Sequence, residues 1–234
     1  MHYAIIAAGE GSRLAGEGLN IPKPLVDLDG RPMIKRLIDI MIECDAESLS
    51  VIVNEQMSAV REYLESLSLP VPFRLVVKST PSSMHSFYEV SRIFPADANK
   101  FVLTTVDTIF RPDEFRAYIN EFAKSDNIDG MMGVTAFIDD EKPLYVEVDP
   151  ADMTITAFKD ATYPGAKYIS AGIYGLTPSA IDVLSRCLDE GVSRMRNYQR
   201  ALVADGLMLK AFPFGKVIDV DHLSDIETAK SLIR

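Results

Sequence analysis

The 234-residue sequence predicts an α/β fold, a mixed, mostly parallel sheet with helices on both faces. Four short apolar runs in its first half are each followed by a segment with helical spacing of apolar residues. Later runs look like strands without helices between them. The composition, 47% hydrophobic and 25% charged, is that of an ordinary folded protein. It excludes a disordered or low-complexity chain.

The four strand-then-helix units of the first half end near residue 124. Each apolar run has the length of a buried strand, and each following segment places apolar residues three and four positions apart. The last of these helices has proline in its first turn, where a backbone N–H is not needed. The predicted strands cover residues 3–8, 49–53, 73–77 and 101–106, and the predicted helices cover residues 32–44, 57–67, 84–94 and 112–124.

The second half is richer in strands. The pattern Ser224-Asp-Ile-Glu227 predicts a capping box that starts a last helix, which runs to residue 234. No Pro-, Gly- or Ser-rich linker and no internal repeat divides the sequence, so we expect one domain over residues 1–234. The predicted strands cover residues 130–138, 145–148, 154–159, 168–176, 209–214 and 216–219, with helices over residues 178–190 and 195–205.

The chain is acidic: 24 Lys and Arg against 34 Asp and Glu give a net charge of −10. This charge argues against binding to nucleic acid or to an anionic membrane surface. An anionic small ligand would have to meet a local cationic patch or a metal. Cys44 and Cys187 are expected to be reduced thiols in the core. With no leader pattern and no apolar run of about 18 residues, we expect a cytoplasmic protein.

A glycine-rich loop, Gly9-Glu-Gly-Ser-Arg13, directly follows the first predicted strand. Its backbone N–H groups can bind phosphate oxygens, small Ala8 leaves room for a flat base, and Arg13 is a planar cation suited to a triphosphate. The dinucleotide fingerprint is not met, because Leu14 replaces its third small residue and prolines and glycines over residues 15–24 disfavour a helix. A P-loop would need Gly-Lys-Ser/Thr. A tight turn without a ligand is the plain alternative.

A second segment, Pro22-Lys23-Pro24-Leu25, follows this loop. The two prolines are expected to hold the backbone of Lys23 in an extended form. A lysine held in this way near a phosphate-binding loop suits a transferring phosphate as a point charge. Alone, the segment would indicate a surface turn, but its place after the glycine-rich loop favours the phosphate interpretation.

With both segments, the sequence resembles the sugar-1-phosphate nucleotidyltransferases of the NTP-transferase family, whose signature is a G-x-G-[ST]-R loop followed by PKPL. The resemblance implies a Rossmann-like fold and the condensation of an NTP with a phosphorylated sugar or similar alcohol, with release of pyrophosphate. We expect residues 1–125, approximately, to bind the NTP and residues 126–234 the acceptor. The chain resembles the short single-domain members of the family.

The resemblance also implies a Mg²⁺ site. Asp107 ends a predicted strand, at the edge where α/β sheets bind ligands, and the family places a metal-binding aspartate there. Asp219 lies in a late segment that resembles the one carrying the family's second metal ligand. Two carboxylates with water and phosphate oxygens suit Mg²⁺. The alternative for Asp107 is a helix cap or a turn residue before Pro112. Asp221 is expected on the other face of the strand, or in a turn with Ser224.

The substrate contacts follow from the resemblance as well. The family reads the base around residues 80–86, and it binds the acceptor near Lys159 and the run from Ser170 to Gly172. Phe158 stands where relatives often have a glutamate that holds sugar hydroxyls. This difference argues against an ordinary hexose phosphate as the acceptor. We expect Arg13 and Lys23 as catalytic residues, and as substrate-binding residues Ala8, Gly9, Gly11, Ser12, Pro81, Ser83, Lys159, Ser170 and Gly172.

Three other functions remain open at this point. One is a cytidylyltransferase acting on a phosphocholine-like alcohol. Another is a glycosyltransferase of similar fold, although Asp107-Thr-Ile109 lacks the Asp-x-Asp pattern that such an enzyme needs at the end of its middle strand. The third is a nucleotide-binding protein without catalysis. The base, the acceptor and the oligomeric state are not readable from the sequence.

Overall fold

The computed structural model describes residues 1–139 and 141–234. Its strands are β1 (His2–Ala7), β2 (Asp27–Leu28), β3 (Arg31–Pro32), β4 (Ser48–Val53), β5 (Phe73–Val77), β6 (Phe101–Thr105), β7 (Thr108–Ile109), β8 (Gly130–Thr135), β9 (Tyr145–Val148), β10 (Ile155–Lys159), β11 (Tyr168–Leu176), β12 (Leu209–Phe214) and β13 (Ile218–Asp219). Its α-helices are α1 (Ser12–Gly16), α2 (Met33–Glu43), α3 (Ser58–Glu65), α4 (Ser83–Ser91), α5 (Pro112–Lys124), α6 (Ser179–Asp189), α7 (Met195–Ala204) and α8 (Leu223–Ile233).

The main sheet has nine strands within the described residues, and seven of them follow the order β10-β9-β11-β6-β1-β4-β5. The four strands of the first half are parallel: β1 pairs with β4 and β6, and β4 pairs with β5. Every residue of β4 is buried, as expected for a parallel strand covered on both faces. The mostly parallel sheet predicted from the sequence is therefore confirmed.

Helices cover both faces of this sheet, because successive side chains of its strands point to opposite sides. On one face, Ile5 of β1 packs in a core with residues of α2, α3 and α5. On the other face, Ala4 and Ile6 pack in a core with residues of α4, α6 and α7. A smaller apolar cluster joins Leu14 to the region around α8 and β13.

The second half extends the sheet with antiparallel strands. β11 pairs antiparallel with β6, β8 and β9, and β12 pairs parallel with β8. The register of β11 against β8 shifts between Ser170 and Tyr174. Gly172 lies inside this irregularity with a φ of 70°, a conformation that favours glycine. This bulge brings residues 170–172 to the edge where Asp107 follows β6.

Three local predictions were wrong. Lys23 is not extended: it starts a 3₁₀ turn, Lys23–Leu25, which the bond from the Leu25 N–H to the Pro22 carbonyl oxygen closes at 2.8 Å. One turn of helix, α1, begins at Ser12 within the glycine-rich segment and ends before the prolines. The last helix has His222 as its N-cap, because the Asp225 carboxylate accepts the His222 N–H at 2.7 Å in place of the predicted box.

Both cysteines are buried and free, as predicted. Within the described part of the chain, no helix combines the length and apolar character required to cross a membrane.

Candidate active site

A cleft of about 820 Å³ opens at the carboxyl ends of β1, β4 and β6, and extends beside β11. The order of these strands divides it into three parts: a charged centre at β1 and β6, and two ends named after the substrate group predicted for each, a base end at β4 and β1 and an acceptor end at β11 and α7. All but one of the residues predicted for the site line this cleft: Ala8, Gly9, Gly11, Ser12, Arg13, Lys23, Pro81, Ser83, Asp107, Ser170, Gly172 and Asp219. Lys159 does not.

Lys23 is the buried cation at the charged centre, with 7% of its surface exposed. Its Nζ lies 2.5 Å from Asp107 Oδ2 and 2.7 Å from Asp221 Oδ1. Burial alone would lower the pKa of Lys23, but the two carboxylates outweigh it and raise that pKa above its usual value. The ammonium group therefore stays charged at neutral pH and faces the cleft.

Asp221 links the two predicted cations, and the sequence analysis did not assign it to the site. One carboxylate oxygen contacts Lys23, and the other lies 2.5 Å from a guanidinium nitrogen of Arg13. Its expected position on the other face of the strand is wrong. Asp221 lies two residues beyond the end of β13, in a tight turn, and lines the same cleft as Asp219. The Asp221 N–H also donates to the Asp219 carbonyl oxygen at 3.1 Å.

Asp107 and Asp219 come together through the pairing of β7 with β13. Asp219 lies opposite Thr108, whose hydroxyl donates to Asp219 Oδ1 at 3.2 Å. The Val220 N–H donates to the Asp107 carbonyl oxygen at 3.1 Å, which holds the two segments side by side. Both carboxylates line the cleft.

The two acids fit a Mg²⁺ ion. Burial would raise the pKa of Asp107, but the Lys23 ammonium lowers it below its usual value, so the carboxylate is ionised. Within residues 1–139 and 141–234, no cluster of three or more His, Cys, Asp or Glu side chains is arranged to hold a metal. Two carboxylates that leave further positions to water and phosphate oxygens match the preference of Mg²⁺.

The base end is formed by polar groups that bond to one another. The Thr80 and Ser86 hydroxyls lie 2.6 Å apart, and Asn54 Oδ1 accepts the Ser79 hydroxyl at 3.0 Å. Asn54 and Thr80 line the cleft; Thr80 belongs to the segment predicted to read the base, whereas Asn54 was not predicted. Asn54 could have been found, because it directly follows the carboxyl end of a predicted parallel strand.

At the acceptor end, the Ser170 hydroxyl donates to Gln199 Oε1 at 3.2 Å, which ties β11 to α7. Lys159 lies elsewhere: its Nζ is 2.8 Å from Glu147 Oε2 and 4.3 Å from the centre of the Tyr163 ring. Its contact with the acceptor stays a prediction. Phe158 is buried in the core, so it takes no part in lining the cleft.

Comparisons with known proteins point to nucleotidyltransferases. A family model for MobA-like NTP transferase domains matches residues 3–149. Mannose-1-phosphate guanylyltransferase 1 of Arabidopsis thaliana is 23% identical over 99% of this chain and 64% of its own length. The mannose-1-phosphate guanyltransferase of Aspergillus fumigatus is 27% identical over the same shares of the two chains. This chain therefore spans just under two thirds of the length of these curated relatives.

The solved structure of the inositol-1-phosphate CTP transferase from T. maritima has the same fold. It matches with a TM-score of 0.81 over 99% of this chain and 95% of that chain, at 20% sequence identity. The fold class predicted from the sequence is confirmed, and so is the resemblance on which the predicted site was based.

Proposed function

We propose that this chain, which belongs to the family of MobA-like NTP transferase domains, joins an NTP to a sugar 1-phosphate or a similar phosphorylated alcohol and releases pyrophosphate. One observation carries the proposal: Lys23 is buried between two carboxylates in the same cleft that Arg13 and Asp219 line. A cation pair and an acid pair at the edge of a parallel sheet suit the binding of a triphosphate with its metal.

The reaction needs positioning more than it needs a base. An oxygen of the acceptor phosphate attacks the α-phosphorus of the NTP, and the bond from that phosphorus to the bridging β-phosphate oxygen breaks. Pyrophosphate leaves with the bond's electron pair. A phosphate dianion is already a nucleophile, so the barrier is mainly the repulsion between two anions. Fixed positive charge and alignment lower such a barrier.

The residues of the charged centre supply that charge. Arg13 and the amides of the glycine-rich loop hold the β- and γ-phosphates, and Lys23 lies between the acceptor phosphate and the α-phosphate. Asp107 and Asp219 would hold Mg²⁺, which would offset charge on the α-phosphate. Asp221 must give up its contacts with Arg13 and Lys23 as the phosphates take them over.

The two halves of the chain divide the substrates between them. The half up to about residue 125 binds the NTP, with Ala8, Pro81 and Ser83 around the base. The half from about residue 126 binds the acceptor, with Ser170 and Gly172 at its site. The sheet supports this division, because β1 and β4 lie on one side of β6 and β11 lies on the other.

Pyrophosphate release tests the proposal. A thermal-shift screen of ATP, CTP, GTP, UTP and dTTP with Mg²⁺ identifies the base, because at equal concentration the NTP that binds most tightly raises apparent stability most. The selected NTP is then assayed with sugar 1-phosphates and phosphorylated alcohols. We expect pyrophosphate only when both substrates are present. An NTP that binds without turnover would indicate a non-catalytic protein, and free nucleotide released from a nucleotide sugar would indicate a glycosyltransferase.

A further inference from the structure

The acceptor end of the cleft has an unusual distribution of charge. All the acidic side chains that line the described cleft, Glu10 among them, lie in the glycine-rich loop or at the charged centre. The described residues that line the acceptor end are neutral or cationic. The described residues that line it include Leu144, Ser170, Tyr174, Arg194, Arg196 and Gln199.

Arg194 carries a positive charge that no described acid neutralises. Arg196, beside it, is compensated, because it lies 2.7 Å from Asp160 Oδ1 and donates to the Lys142 carbonyl oxygen at 3.0 Å. Arg194 is an exposed residue that lines the cleft, and its guanidinium makes no ion pair or hydrogen bond with the described residues. Its backbone has φ 74° and ψ 139°, a region that non-glycine residues occupy only at a cost in free energy.

Gln199 adds an amide donor at the same end. Only 2% of its surface is exposed, and it belongs to the lining of the cleft. Its Oε1 accepts the Ser170 hydroxyl, so Nε2 is left to donate, and no described residue accepts from it. An amide N–H group without a protein partner can donate to an acceptor oxygen of a ligand.

We propose that the acceptor carries a second negatively charged group beside the phosphate that reacts, and that Arg194 and the Nε2 group of Gln199 bind it. The inference rests on the proposed function, in which Lys23 takes the reacting phosphate at the charged centre. That leaves the guanidinium at the acceptor end for another anion. Guanidinium groups pair with carboxylate or phosphate oxygens through two parallel hydrogen bonds.

The same charge distribution disfavours a quaternary ammonium group on the acceptor. Such a group is recognised by several aromatic faces or by carboxylates. Tyr174 is the one aromatic side chain among the described residues at this end, and none of those residues is acidic. An uncompensated guanidinium would also repel the cation.

Three small phosphates with matched reacting groups test the inference by calorimetric titration: 3-phosphoglycerate, glycerol 3-phosphate and phosphocholine. The wild type should bind 3-phosphoglycerate at least tenfold more tightly than glycerol 3-phosphate, which shares its three-carbon chain, and phosphocholine least tightly. Arg194→Gln should abolish the preference for 3-phosphoglycerate and leave the affinity for glycerol 3-phosphate within about threefold of the wild-type value. Arg92→Gln, an exposed arginine paired with Glu89, controls for the loss of one charge.

Arg194→Gly separates binding from folding, because glycine accepts the positive φ at this position. It should melt no lower than the wild type and still lose the preference for 3-phosphoglycerate. The inference is overturned if phosphocholine binds as tightly as 3-phosphoglycerate, if 3-phosphoglycerate does not bind, or if the variants weaken all three ligands equally. If pyrophosphate release persists on neutral sugar phosphates in that case, the proposed function stands and only this inference fails.

Discussion

Gly11 and Lys23 lie in direct contact: a Cβ atom placed on Gly11 would be 3.0 Å from the Cβ of Lys23. Gly11 also has a φ of 63°, in the left-handed region. The glycine at this position therefore turns the loop into α1 and leaves room for the lysine beside it. The two motif segments, which eight residues separate in the sequence, pack as one unit.

Replacing Gly11 with alanine should displace Lys23. Gly18→Ala is the matched control, because Gly18 also has a positive φ, 96°, with open space around its Cα. Both variants should share a conformational cost of about 1–2 kcal/mol. Only Gly11→Ala should also lower the rate of pyrophosphate release, by about tenfold, since small displacements at a reacting centre are costly. Equal losses of activity in the two variants would contradict the contact.

Asp221 should compete with the nucleotide for Arg13 and Lys23. Asp221→Asn removes the negative charge between the two cations. Metal-free NTP should then bind about tenfold more tightly, because the repulsion between this carboxylate and the phosphates is roughly 1.4 kcal/mol at a partly solvated site. Titration calorimetry in the presence of a chelator measures this affinity. Asp139→Asn removes an equal charge from an exposed position near the cleft and should change the affinity little. Weaker NTP binding by Asp221→Asn would show that the carboxylate supports the site instead.

A salt bridge away from the cleft should make stability depend on pH. Lys210 Nζ lies 2.5 Å from Asp152 Oδ2, and the hydrogen bond from Lys210 is the main cause that lowers the pKa of Asp152 from 3.8 to about 2. A lowered pKa means that the ionised pair stabilises the folded chain above pH 3.8, and that this contribution is lost as the pH falls towards 2.

Urea unfolding of the wild type and Asp152→Asn between pH 7 and pH 2.5 measures this contribution. The difference between their midpoints should be constant from pH 7 to about pH 5 and should shrink below about pH 4. Lys210→Met removes the partner and should give the same dependence on pH. A difference that grows as the pH falls would contradict the assigned sign.

The sequence predicted the parallel half of the sheet and the glycine-rich loop well, because their signals are local. The residues of β4 are all apolar or small, and the loop and Lys23 lie within 15 residues of one another. Asp219 was assigned to the site only because its segment resembles a family pattern. Its own strand β13 and the partner strand β7 have two residues each, too few to show any periodicity.

The parts of the site that the sequence did not predict depend on contacts between distant residues. Asp221 meets Arg13 across 208 positions of the chain, and Gln199 meets Ser170 across 29. No local pattern marks which acid neutralises which base, so Arg194 and Arg196 look alike in the sequence. The structure distinguishes them, because Arg196 pairs with Asp160 and no described acid pairs with Arg194.

The most direct test follows the nucleotide into its product. Wild-type protein and Lys23→Met are incubated with Mg²⁺, the selected NTP and a phosphorylated acceptor, and mass spectrometry measures the nucleotide-linked product beside pyrophosphate. Lys35→Met, on α2 and paired with Asp39, is the control. We predict equal amounts of the two products from the wild type and from the control, and a rate lower by about 10²–10³ for Lys23→Met. A near-normal rate for Lys23→Met, or no nucleotide-linked product from the wild type with any NTP and acceptor, would contradict the account.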